Sequence, residues 1–298
     1  MSAPVNEFTI ALIQMRCEND PERNLQRARE KILQAREQGA LLICLPELFK
    51  TSYFCQTEDP RSFDLAEPIP GPTTELMQQL ADDCRAVLVV PVFERRAPGL
   101  YHNSAVVINA DGALLGVYRK MHIPDDPLYY EKYYFTPGDT GFRSFATAVG
   151  QVGILICWDQ WFPEAARLTA LQGAEILVYP TAIGWHPQEK ASWGAAQYSA
   201  WQTIQRSHAI ANGVFVAAVN RVGQEGPPSG GLEFWGGSFV CDPFGRVLAQ
   251  ADHQQEETLL CRIDKSLIES IRRNWPFLRD RRIDAYQGLC SRFLDFRK

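Results

Sequence analysis

An α/β fold of layered sheets is what this sequence predicts, and three observations predict it. Apolar runs of strand length alternate with segments of helical period along most of the chain. Several of those runs are apolar at consecutive rather than alternate positions, as strands covered on both faces require. A short phrase also recurs. Gln38-Gly39-Ala40, then five residues, then Pro46 is echoed by Gln172-Gly173-Ala174, five residues, then Pro180, each copy following a helical segment. The echo points to an internally pseudo-symmetric fold in which Glu47 and Thr181 occupy equivalent strand ends.

Taken in order, Phe8 to Gln14 reads as an apolar strand. Asp20-Pro21 supplies an N-cap followed by proline at the first helical position. Leu25, Ala28, Ile32 and Ala35 then mark one buried helix face, and Gly39 ends the helix. Leu41 to Leu45 is a doubly buried strand closed by Pro46. A helix from about Thr74 to Cys84 and a strand from Val87 to Phe93 follow. Asn103 to Ile108 and Ala113 to Tyr118 form a hairpin across a turn containing Asp111-Gly112. Gln151 to Ile156 is an apolar strand ending at Cys157, and the second copy's helix runs from about Pro163 to Leu171. A long helix covers about Trp193 to Asn212. Strands are expected at Val214 to Val219, Gly237 to Cys241, Arg246 to Ala251 and Thr258 to Ile263.

No Pro/Gly/Ser-rich linker interrupts this alternation. All 298 residues therefore read as one domain, with a core from about 8 to 263 and a helix and irregular tail over 264–298. Hydrophobic residues at 46% and charged residues at 22% provide for a sizeable core. A net charge of −5 gives no electrostatic reason for a nucleic-acid or anionic-membrane partner. Arg272, Arg273, Arg279, Arg281 and Arg282 gather in the tail, interleaved with acids, as a solvated or subunit-contacting segment would. Met1 to Phe8 has neither the basic start nor the apolar stretch of a secretory signal, and Val214 to Val219 is too short to span a bilayer. A cytoplasmic protein is the expectation. The eight cysteines are scattered, with no Cys-x-x-Cys pair, so reduced thiols are expected rather than disulfides or a zinc site. No Gly-x-Gly-x-x-Gly, P-loop or metal-ligand spacing occurs, and Gly226 to Gly231 reads as a turn-rich loop and not a phosphate cradle.

Four side chains can carry chemistry. Cys157 stands at a strand end close to a helix start, where backbone N–H groups can favour a thiolate and later bind an oxyanion; a buried core thiol is the commoner fate of cysteine. Glu47 directly follows a buried strand, at the carboxyl end where open α/β sheets place ligands, and can take a proton from a thiol. Lys120 closes the strand at Tyr118-Arg119, and its ammonium can stabilise a developing oxyanion. Glu131 lies in the aromatic-rich loop Tyr129-Tyr130-Glu131-Lys132-Tyr133-Tyr134-Phe135.

Together, Leu45-Pro46-Glu47, Tyr118-Arg119-Lys120 and Gly153-x-x-Ile156-Cys157-Trp158-Asp159 resemble the nitrilase, or carbon–nitrogen hydrolase, superfamily. The likeness covers Phe8 to about Ile263. It implies a four-layer α-β-β-α sandwich and a homodimer or larger homo-oligomer made by stacking sandwiches. It also implies a Glu47–Lys120–Cys157 triad with Glu131 as the additional glutamate, and an oxyanion held by Lys120 and the backbone N–H of Trp158. The chemistry it implies needs neither metal nor organic cofactor.

Longer stretches narrow the resemblance to the N-carbamoylputrescine amidase branch: Tyr118 to Asp125, Glu131 to Phe142, Cys157 to Arg167 and Tyr179 to Gly184. That branch implies a small cationic carbamoyl-amine substrate and a part in polyamine biosynthesis. Branches acting on N-carbamoyl amino acids carry arginines just after the nucleophile, where Asp159-Gln160-Trp161 stand here. A cationic alkylamine suits Asp125, Asp126 or Asp159 with aromatic walls at Tyr53, Phe54, Tyr130 and Trp185, and Thr181 at the matching strand end. The alternatives are an amidase of ω-amides or of other N-carbamoyl amines such as N-carbamoyl-β-alanine, or a silent scaffold. His122 and His186 read as structural, hydrogen-bonding histidines.

Overall fold

A computed structural model describes residues 5–226 and 230–294. Met1 to Pro4, Pro227 to Ser229 of the turn-rich loop and Asp295 to Lys298 of the tail lie outside the described residues. The first half runs β1 (Glu7–Gln14), α1 (Pro21–Glu37), β2 (Ala40–Cys44), α2 (Pro72–Cys84), β3 (Val87–Ala97), β4 (Leu100–Ile108), β5 (Leu114–Arg119) and a single turn, α3 (Glu131–Tyr134). The second runs β6 (Ser144–Thr147), β7 (Gly150–Ile154), α4 (Pro163–Leu171), β8 (Ile176–Thr181), β9 (Gly184–Trp185), α5 (Lys190–Asn212) and β10 (Phe215–Asn220). After it come β11 (Val222–Glu225), β12 (Leu232–Trp235), β13 (Phe239–Cys241), β14 (Val247–Gln250), β15 (Glu257–Asp264) and α6 (Ser266–Asn274).

Local chemistry sets these boundaries. Asp20 accepts hydrogen bonds from the amides of Glu22 and Arg23 at the head of α1, ahead of Pro21. Gly39, just past that helix, takes φ of +91°, which an L-residue with a side chain resists. From Leu42 onward the side chains of β2 alternate: Leu42 and Cys44 face the other sheet, while Ile43 faces the helices.

Two six-stranded sheets result, in the orders β15-β1-β2-β3-β4-β5 and β6-β7-β8-β10-β13-β14. In each, an antiparallel edge strand precedes three parallel strands and two antiparallel ones. The two halves thus share one topology, and β2 and β8, the strands of the repeated phrase, hold the same place in it. Glu47 and Thr181 follow or end these strands.

One apolar core joins Leu12, Val89 and Val107 of the first sheet to Val152, Val178 and Ala217 of the second, so the sheets pack face to face. Helices α1 and α2 cover the outside of the first through Ala28, Ile32, Met77 and Leu80. Helices α4 and α5 cover the second through Ala165, Ala166, Trp201 and Ala209. This is the four-layer α-β-β-α sandwich, with the parallel strands of both sheets covered on each side as their apolar runs demand.

The long helix begins at Lys190, a turn earlier than its apolar pattern implies, because its first residues are polar or small and carry no periodic signal. The short β6, β9, β11 and β12 and the single turn α3 escape sequence reading for a related reason: two to four residues are too few to show a period. Strands β11, β12 and β9 form a small third sheet beside the mouth described next. Among the described residues, no helix is long and apolar enough to cross a membrane.

Candidate active site

Strand ends from both sheets converge on one buried cluster. Glu47 follows β2, Lys120 follows β5, Glu131 opens α3, and Cys157 follows β7. Glu47, Lys120 and Glu131 are fully buried and Cys157 is 4% exposed. Lys120 Nζ donates to Glu47 Oε1 at 2.8 Å and to Glu131 Oε2 at 2.6 Å. An ammonium has three N–H bonds, so one remains for a ligand.

The second oxygens of the two carboxylates are treated differently. Glu131 Oε1 accepts from the Tyr53 hydroxyl at 2.7 Å. Glu47 Oε1 also accepts from Asn103 Nδ2 at 2.7 Å, whereas its buried Oε2 has no partner among the described residues. A buried carboxylate oxygen with free lone pairs, beside a thiol, is a proton acceptor in waiting.

Protonation follows from burial and neighbours. Burial pushes the Cys157 thiol well above its ordinary value, and Glu47 and Glu131 add to the rise while Lys120 opposes it. That direction favours the thiol form and gives the neighbouring carboxylate a proton to take. Burial also raises the Glu131 carboxyl against the opposing pull of Lys120. Burial alone would lower Lys120, but the two carboxylates overcome it and hold the ammonium charged.

Cys157 itself takes φ of +43°, a left-handed conformation sparsely populated by residues with side chains. It opens a tight turn, Cys157–Trp161, that lifts the thiol off the strand end; its Sγ lies 3.8 Å from Ala182 O. Asp159 holds this turn. Its Oδ2 accepts from Ile156 N at 2.9 Å and the Tyr118 hydroxyl at 2.7 Å. Its Oδ1 accepts from the amide of His122 at 3.0 Å and pairs with His122 Nδ1 at 2.7 Å. Tyr118 and His122 flank Lys120, so one carboxylate fastens the nucleophile's turn to the strand end that carries the lysine.

The thiol opens into a cavity of about 690 Å³ lined by Tyr129, Trp158, Trp161, Trp235, Asp126 and Glu189 among others. Among the described residues, Asp126 and Glu189 are its carboxylates and no lysine or arginine lines it; Cys157, Tyr129 and His186 are its other titratable side chains. Trp158 follows Cys157 in a turn whose first N–H groups lack helical partners, as an oxyanion site requires.

Other side chains expected to hold substrate are placed elsewhere, with physical reasons. Asp159 spends both oxygens on the turn and cannot greet an amine. Phe54 stacks on Phe93 and packs edge-on against Tyr134, within a satellite core. Tyr53 lies under the site as the partner of Glu131 rather than as a cavity wall. Trp185 donates Nε1 to Gly194 O at 2.9 Å and backs Trp235 from behind. Thr181 Oγ is buried and donates to Tyr179 O. Tyr130 is tied by its amide to Cys55 O, and the exposed Asp125 lies outside the lining. Of that set, Asp126 alone lines the cavity.

Sequence reading missed Glu189, Asn103 and Tyr129. The Tyr129 hydroxyl accepts from Gly184 N at 3.0 Å and donates to Gly184 O at 3.2 Å, pinning the cavity wall. Nothing in Pro187-Gln188-Glu189-Lys190 distinguishes that glutamate from any helix-leading acid, and the strand alternation that turns Asn103 inward needs the neighbouring sheet to interpret it.

A family model described as carbon–nitrogen hydrolase matches residues 9–273. The chain is 44% identical to an N-carbamoylputrescine amidase of Solanum lycopersicum, over 95% of each chain. It is 40% identical to a citrullinase of Francisella tularensis, covering 95% of this chain and 98% of that one. A crystal structure of a carbon–nitrogen hydrolase from Helicobacter pylori superposes with a TM-score of 0.93 at 47% identity, covering 97% of this chain and 100% of that one.

Proposed function

The chain belongs to the carbon–nitrogen hydrolase family and is a hydrolase of carbon–nitrogen bonds, and from that premise we propose that it converts N-carbamoylputrescine to putrescine, carbon dioxide and ammonia. Cys157 is the nucleophile. Glu47 Oε2 takes its proton as the sulfur attacks the ureido carbonyl carbon. The free N–H of Lys120 and the backbone N–H of Trp158 receive the oxyanion. Glu47 returns the proton to the departing nitrogen as the first C–N bond breaks, then activates the water that hydrolyses the thioester-like intermediate; the carbamic acid so freed loses carbon dioxide and releases the second nitrogen. Glu131, held by Tyr53, keeps Lys120 charged and aimed.

The charge of the cavity carries the choice of substrate. Among the described residues its lining holds two acids, Asp126 and Glu189, and no lysine or arginine. The protonated amine of carbamoylputrescine is attracted there. Citrulline shares the ureido group and also carries an ammonium, but it adds a carboxylate, which finds no guanidinium or ammonium among the described residues of the lining. The same argument disfavours N-carbamoyl-β-alanine.

The product places the enzyme in polyamine formation. We further propose a cytoplasmic homo-oligomer; Trp275, Phe277, Ile283, Leu289 and Phe293 of the tail are exposed and apolar, which supports a tail that contacts another subunit.

The test is release of ammonia and of the amine product from N-carbamoylputrescine, citrulline and N-carbamoyl-β-alanine, with Cys157→Ser as control. Preferred turnover of the first, lost in the control, is expected. A higher kcat/KM on citrulline would move the assignment to ureido amino acids; a higher value on N-carbamoyl-β-alanine would overturn the charge argument.

A further inference from the structure

The loop that carries Glu47 is fastened from the opposite sheet. Arg221 directly follows β10 and is completely buried. Its Nη2 donates to three carbonyl oxygens of that loop, Glu47 O at 2.8 Å, Leu48 O at 2.9 Å and Thr51 O at 3.3 Å. Its Nη1 lies 2.7 and 2.9 Å from the two oxygens of Glu225 on β11. Glu225 Oε2 in turn accepts from Tyr53 N at 2.6 Å. The guanidinium also packs near the rings of Tyr53 and Phe234, at 5.8 and 5.2 Å from their centroids. Leu48 holds φ of +50°, so the loop turns at a residue that rarely adopts that conformation unless its surroundings impose it.

A buried ion pair is a poor source of net stability, because desolvation consumes the attraction; what it offers is fixed geometry. Here that geometry ends at both catalytic carboxylates. One path runs from Arg221 to the carbonyl of Glu47. The other runs from Arg221 through Glu225 and Tyr53 to Glu131 Oε1. A lysine in place of Arg221 has no planar fork and cannot serve three carbonyls and a bidentate carboxylate at once.

We propose that Arg221 and Glu225 are positioning residues for the reaction, setting from the second sheet where Glu47 and Glu131 stand about Lys120. The inference rests on Glu47 acting as the base. Neither residue touches the cavity, so both act on the rate and leave the substrate's binding surface as it is.

The test uses the full-length protein with Glu225→Gln, Arg221→Lys and the double variant, with Glu47→Gln alongside. Each is assayed for kcat and KM on N-carbamoylputrescine, for cooperative thermal unfolding, and for the rate at which Cys157 is alkylated by iodoacetamide. In folded variants kcat is expected to fall about ten- to a hundredfold with KM within about threefold, and Cys157 alkylation to slow with it. The double variant should lose little more than the worse single one, because both act on one loop. Turnover within about twofold of the parent in folded variants overturns the proposal, as does a loss of kcat with alkylation unchanged. If Arg221→Lys fails to fold, Glu225→Gln, which keeps size and an acceptor for Tyr53 N, decides alone. Full turnover in Glu47→Gln would strike the base assignment itself, and the inference would fall with it.

Discussion

The buried cluster around Cys157, the floor of the site, and the rim of the cavity into which that thiol opens are built by opposite rules. At the floor, Glu47, Lys120 and Glu131 have no exposure, and three charges share one hydrogen-bonded set with Tyr53 and Asn103. At the rim, Asp126 and Glu189 are exposed, and Glu189 accepts from Gln197 Nε2 at 2.9 Å. Charge at the floor is costly and therefore wired in place; charge at the rim is cheap and free to meet a ligand. The difference separates the bond-breaking chemistry from the choice of substrate.

Changing the floor should have the largest effect, and the charge count there says which change also unfolds the protein. With Cys157 as a thiol, Glu47 and Glu131 outnumber Lys120 by one negative charge. Glu47→Gln leaves a balanced Lys120–Glu131 pair. It should lose about 10³-fold or more in kcat while keeping its thermal midpoint. Lys120→Met leaves two buried carboxylates unpaired and should cost about 3–5 kcal/mol of stability as well as all activity. Calorimetry beside a turnover assay distinguishes them; equal destabilisation by both would sink the charge count. Alkylation adds a sign. Glu47→Gln takes away one upward push on the Cys157 thiol but leaves burial, the larger one, so labelling at neutral pH should be slow and climb through the alkaline range.

A subtler change at the floor is Tyr53→Phe. It deletes one hydrogen bond to Glu131 and leaves that oxygen unpaired, without removing any charge. A loss of about tenfold in kcat with little change in KM is expected, since an unsatisfied buried carboxylate oxygen costs about 1–3 kcal/mol and shifts Lys120 with it. A rise in KM alone would place Tyr53 on the substrate instead.

How much of this was legible in the sequence follows the same division. Two members of the floor were readable because each follows a strand announced by a long apolar run: Leu41 to Leu45 before Glu47, and Val152 to Ile156 before Cys157. The doubly buried strands and the echo of Gln38-Gly39-Ala40 in Gln172-Gly173-Ala174 likewise disclosed both halves of the sandwich. Asp159 shows where reading stopped. An acid two residues after the nucleophile looks like a ligand for an amine, and only the fold reveals that Tyr118 and His122 occupy its oxygens. The aromatics misled for a similar reason. Phe54 and Trp185 have the size and polarity of cavity walls, but side-chain direction in irregular loops has no period to betray it. Arg221 and Glu225 carried no signal, because the loop groups they hold lie about 170 residues away in the chain.

The rim should give the smallest effects and the most informative ones. Asp126→Asn and Glu189→Gln each remove an exposed charge from the lining without touching the thiol or its base. An exposed charge contributes about 1 kcal/mol toward an ammonium a few ångströms away, so each change should raise KM for N-carbamoylputrescine about fivefold with kcat unchanged. Salt should mimic it: raising ionic strength to about 1 M shrinks the screening length to about 3 Å, and the parent's KM should climb toward that of the variants while theirs stays flat. A fall in kcat with KM steady would mean that the rim takes part in the chemistry, and the division between floor and rim would not stand. An improvement on N-carbamoyl-β-alanine in the Asp126→Asn, Glu189→Gln double variant would sharpen it, because removing the two acids relieves a purely anionic substrate of the same field by which they attract an amine.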